Sequence, residues 1–122
     1  MLAAFLLCIA GLIHLLPLSG VMGRAALARL YGVEIGDPDL LILMQHRAVL
    51  FALLGGLMIH AAFAPSLRGL AVTMGLVSTV SFIAIALASR EGTGESLRTV
   101  VYADIVAIVA LTGAGLLTLA GR

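Results

Sequence analysis

Apolar residues gather into four runs along this chain, over positions 2–19, 40–64, 70–89 and 99–120, and short polar stretches separate them. A helix needs about 20 apolar residues to cross the hydrocarbon core of a bilayer, and the pattern supplies that length four times. The polar stretches refine the helix ends. Asp37 followed by Pro38 offers an N-cap and a first-turn proline for the second helix. Pro65 turns the chain tightly into the third, and the hairpin REGTGESLR over 90–98 uses its glycines to end one helix and admit the next. The spans therefore read about 2–19, 38–64, 66–89 and 97–120. The expected fold class is an all-α membrane protein, a four-transmembrane-helix bundle with short loops, forming one domain over 1–122.

Composition agrees, with 62% hydrophobic and 11% charged residues. A soluble domain of 122 residues has too little interior to hide that much apolar surface. A net charge of +1 gives no reason to expect a nucleic-acid partner. The first run reads as a mature helix rather than a cleaved signal peptide, because it lacks a basic leading segment and is interrupted by His14 and Pro17. Cys8 follows Leu7, not the small residue that lipoprotein processing requires, and reads as packing.

Between the first two spans, GRAALARLY over 23–31 is a short helix-forming stretch. It is expected to act as an ordered connector with Leu27, Leu30 and Tyr31 inward and its arginines outward. Arg24, Arg29, Arg90 and Arg98 lie in the first and third loops, against Arg68, Arg122 and the amino terminus on the other side. By the positive-inside rule the first and third loops face the cytoplasm.

Charge inside the apolar runs is rare and costly, roughly 2.5 to 3.5 kcal/mol per residue even on lenient insertion scales, which singles out Arg47 and Asp104. Four alternating spans bring further polar residues to the same depth. His14, His46, Arg47, Ser81 and Asp104 all fall roughly 9 to 12 Å inside the ends of their spans, at about 1.5 Å per residue, in the leaflet of the first and third loops. Gln45, Tyr102 and Tyr31 are placed to form the rim. The expected site is thus an intramembrane His/Arg/Asp layer able to hold a ligand head group. Set against it is a plainer reading, in which Arg47 and Asp104 neutralise each other and pin helix two to helix four while the histidines make interhelical hydrogen bonds. His60 lies in the opposite leaflet and belongs to neither.

Two histidines at one depth raise haem or metal ligation. Bis-His haem needs opposed imidazoles in a roomy core, and a metal site needs a fuller ligand set, which no His-x-x-x-His or Cys-x-x-Cys spacing supplies. No metal is expected and haem is disfavoured. Small residues recur as Ala48, Ala52 and Gly56 on the second helix and as Ala103, Ala107, Ala110 and Ala114 on the fourth. On the second helix they point almost opposite His46 and Arg47. That helix is then either central or docks a second copy of the chain through Ala48, Ala52 and Gly56.

The ordered pieces GLIHLLPLSGVMG, ALARLYGVEIGDPDLLILMQHRAVLFALLGG and VVYADIVAIVAL resemble a group of small bacterial four-helix membrane proteins similar to the DoxX-like families. The most specific elements are His14 with Pro17, Tyr31 with Gly32, the His46-Arg47-Ala48 core, and Asp104. The resemblance implies a multi-pass protein of the bacterial inner membrane and carries no established activity. Some proteins of this kind bear a phosphopantetheine adenylyltransferase label, which this sequence contradicts because it has no nucleotide-binding domain and no His-x-Gly-His motif. DoxX relatives are linked to quinone-dependent redox complexes, so the resemblance admits a quinone or lipid as ligand.

Three function classes follow. The first is a binding protein or accessory subunit of a membrane redox complex, whose polar layer holds a quinone-like or lipid-like head. The second is a membrane enzyme using His14 or His46 as acid or base and Arg47 to stabilise an anion. The third is a small proton-coupled transporter, disfavoured because the first helix has no carboxylate.

Overall fold

The computed structural model describes residues 1–121, and these are helical almost throughout. Helix α1 (Leu2–Leu15) runs on into a 3₁₀ segment (Leu16–Met22), followed by the short α2 (Arg24–Tyr31), the long α3 (Pro38–Phe63), a 3₁₀ turn (Pro65–Leu67), α4 (Arg68–Ala88) and α5 (Glu95–Leu119). Four stretches, Leu2–Met22, Pro38–Phe63, Pro65–Ala88 and Glu95–Leu119, are long and apolar enough to cross a membrane. The fold is an all-α bundle of four such helices, the build of a multi-pass membrane protein.

The expected first span departs from plain α-helix at Leu16. Pro17 has no N–H to donate, and its ring collides with the carbonyl four residues back, so the chain continues in the tighter 3₁₀ form. It then turns at Gly23, whose φ of 127° disfavours a side chain. Helix α2 closes in the left-handed conformation at Gly32 (φ 65°), whose N–H donates to Ala28 O at 2.8 Å. As expected for the connector, Leu27 and Tyr31 are buried and Arg24 and Arg29 exposed. Leu27, Tyr31 and Ile35 form a small core of their own, and Arg24 Nε donates to Ile35 O at 2.9 Å across the loop. The Asp37 cap forms as the sequence indicates, its Oδ1 accepting from Asp39 N at 2.8 Å and Leu40 N at 3.4 Å ahead of Pro38. At the other end of α3, Arg68 donates to Ala61 O at 3.3 Å and Ala62 O at 2.9 Å, satisfying terminal carbonyls that the helix leaves without partners.

Helix α1 packs against both α3 and α5, and α4 packs mainly against α5 and less extensively against α3. The main core joins Leu7 and Ala10 of α1, Met58, Ala61 and Ala62 of α3, Ala71 and Val72 of α4, and Ala110, Leu111 and Ala114 of α5. The alanine row read on the last helix is thus largely interior.

On α3 the small-residue row read from the sequence is, beyond Ala48, not the face that packs inside the bundle. The buried positions are Ala48, Gly55, Met58, Ala61 and Ala62. A Cβ built on Gly55 would lie 2.7 Å from Gly11 O, and one built on Gly11 would lie 2.9 Å from Gly55 O, so these two glycines set the α1–α3 crossing. Gly56 is exposed and has nothing within 4 Å of its notional Cβ. At about 100° per residue, the interior face is centred between Arg47 and Ala48, which turns both toward the bundle.

Candidate functional site

The end of α1, the 3₁₀ segment, the end of α2 and the starts of α3 and α5 enclose a cavity of about 170 Å³. His14, Tyr31, Arg47 and Asp104 line it together with Pro17, Phe51, Ser96 and Thr99, and aliphatic side chains complete the wall. Three members of the expected layer, His14, Arg47 and Asp104, thus meet in one space, with Tyr31 from the expected rim.

His14 occupies the last turn of α1 and is only 2% exposed. Its Nδ1 lies 2.8 Å from Ala10 O one turn back, a carbonyl that can only accept, so Nδ1 carries a hydrogen. Nε2 is buried with no hydrogen-bond partner. In the neutral ring this nitrogen is an acceptor. The Phe51 ring packs beside the imidazole with centroids 5.8 Å apart.

Arg47 projects from α3 among aromatic rings. Its guanidinium carbon is 5.4 Å from the ring centre of Tyr31, 4.9 Å from Phe51 and 5.5 Å from Phe82. Ring faces are electron-rich and attract a cation, by about 2 kcal/mol or more when water is excluded, so α2, α3 and α4 jointly stabilise this charge. Arginine hydrogen bonds among the described residues belong to Arg24 and Arg68, not to Arg47. Asp104 is 7% exposed, and among the described residues no carboxylate oxygen comes within 4.0 Å of a guanidinium nitrogen. The direct Arg47–Asp104 pair expected from matching depth is therefore replaced by two charges on one cavity wall, the cation cradled by rings.

Four other candidates lie elsewhere. His46 is exposed, because the residue before Arg47 points about 100° away from it around the helix. Ser81 is also exposed, and its Oγ donates to Ser78 O of its own helix at 3.0 Å. Tyr102 is 65% exposed and borders a separate groove with Ile83, Thr93 and Arg98. Gln45 ties α3 to the 3₁₀ segment by donating from Nε2 to Val21 O at 2.8 Å. Sequence reasoning missed Phe51, Phe82, Ser96 and Thr99. Phe51 was findable as the i+4 neighbour of Arg47, whereas Phe82 reaches Arg47 only through the packing of α4 on α3.

Among the described residues no three His, Cys, Asp or Glu side chains gather in a group able to hold a metal ion. What the cavity offers is a cation with free donors, a carboxylate and an imidazole acceptor in an otherwise apolar chamber. Comparison with protein-family models, curated proteins and solved structures yields no match to this chain.

Proposed function

We propose that the protein is a binding protein or accessory subunit of the bacterial inner membrane, and that its cavity takes the polar head of a lipid-like or quinone-like molecule. The observation that carries this reading is His14 Nε2, a buried polar atom without a partner, in a space shared with Arg47 and Asp104. Leaving such a group unpaired costs roughly 1 to 3 kcal/mol, a cost that a hydrogen-donating ligand removes. The mixed lining also supports it, since ligand sites are mostly apolar with a few convergent polar groups.

Native mass spectrometry of protein extracted gently from its own membrane tests the proposal. The wild type should retain a lipid or quinone, and His14→Leu should lose it while keeping the helical circular dichroism of the parent. An empty wild type overturns the proposal.

A further inference from the structure

The hydrogen-bonding and charge inventory of the cavity narrows the ligand beyond "lipid-like or quinone-like", and the narrowing rests on the binding proposal above. Because Nδ1 of His14 already donates to Ala10 O, the unpartnered Nε2 asks for a hydrogen. Asp104, if ionised, offers only acceptors, and Arg47 only donors. The complementary group both gives a hydrogen and accepts one, which is what a hydroxyl does. A quinone carbonyl satisfies Arg47 alone.

Charge makes the second cut. With Asp104 ionised, Arg47 and Asp104 balance within the cavity, so an anionic head would leave a net negative charge in a mostly apolar chamber. Size makes the third. A space of about 170 Å³ is close to a cavity of ~150 Å³ known to hold benzene, so it suits a single ring or a few heavy atoms. A separate apolar groove on the far side of Arg47 and Phe51 offers a surface for a tail. Arg47 and Phe51 line a second groove of about 180 Å³ with Leu50, Leu54 and Ser78, on the α3–α4 side where packing is sparser.

We infer that the cavity recognises an uncharged hydroxyl head on a hydrocarbon tail, its one hydrogen directed to His14 Nε2 and its oxygen accepting from Arg47. Two sources share that chemistry, a long-chain alcohol and a hydroquinone, and separate arms of one experiment tell them apart.

The experiment measures binding to the intact protein in nanodiscs. One probe series has a fixed alkyl tail ending in an alcohol, its methyl ether or a carboxylic acid. A second has a tailed hydroquinone, its dimethyl ether or the corresponding quinone. In at least one series the hydroxyl compound should bind tenfold or more tightly than its ether, and also than the acid or quinone of that series. Asp104→Asn should bring the acid closer to the alcohol by removing the resident negative charge. If the hydroxyl compound leads in neither series while some probe still binds, the inference is overturned and a binding site remains in place. Failure of every probe to bind overturns the inference and counts against the binding proposal as well. The wild-type series alone decides the matter if Asp104→Asn does not fold.

Discussion

At the Pro65 end of the bundle, Leu7, Met58, Ala61, Ala71, Leu111 and Ala114 have no exposed surface, whereas at the opposite end His14, Arg47 and Asp104 stand around an open space of about 170 Å³. The two ends share the same helices and differ in side-chain size and polarity. Alanines and glycines let α1, α3 and α5 close on one another at the first end. At the second, the aromatic rings around Arg47, the wedge of α2 and the 3₁₀ turn of α1 leave the helices apart. In lipid there is little hydrophobic drive between helices, so the tight end supplies packing that a cavity cannot. The contrast teaches a division within one small bundle, close packing at one end and a polar-lined space at the other.

The largest effect is expected from opening the closed end. Leu111→Ala should lower unfolding free energy by about 2 to 4 kcal/mol, since Leu111 is fully buried and its removal leaves a hole. Reversible denaturation in mixed micelles measures it, and a loss below about 1 kcal/mol would mean that this end is not tightly packed. Next comes Gly55→Ala, expected to cost about 1 to 3 kcal/mol because its new Cβ would press on the Gly11 carbonyl. Gly56→Ala, with open space around it, serves as the neutral control in the same assay.

At the open end the effects are smaller. Arg47→Lys keeps the charge and loses the planar contact with three rings, so a drop of about 1 kcal/mol is expected. A double-mutant cycle of Arg47→Gln with Asp104→Asn should give a coupling below about 1 kcal/mol, because the two side chains share a cavity without a direct ion pair. A coupling of several kcal/mol would restore the buried pair suggested by depth alone. Finally, His46→Ala and Ser81→Ala should each change stability by less than about 0.5 kcal/mol and leave ligand retention intact, since both residues are exposed and outside the cavity.

Much of this was legible in the residues themselves. Run length and the Asp37-Pro38 cap delimited the spans, and counting inward from the helix ends set His14, Arg47 and Asp104 at one depth. The same counting put His46, Ser81, Tyr102 and Gln45 with them, although these lie outside the cavity, and it gave no sign that Gly55 makes the close approach to Gly11. Which His14 ring nitrogen carries the hydrogen is fixed only by the position of the Ala10 carbonyl.

What the chain determined by itself is therefore axial: how many helices cross, where they start and stop, and how deep each polar residue sits. These follow from hydropathy, proline and capping chemistry, all local properties at a fixed rise per residue. Rotation about each helix axis is another matter. Long apolar helices in a lipid-facing protein carry no strong polar stripe to orient them, so tertiary packing alone decided that Arg47 turns toward Tyr31, Phe51 and Phe82 while His46 beside it faces outward.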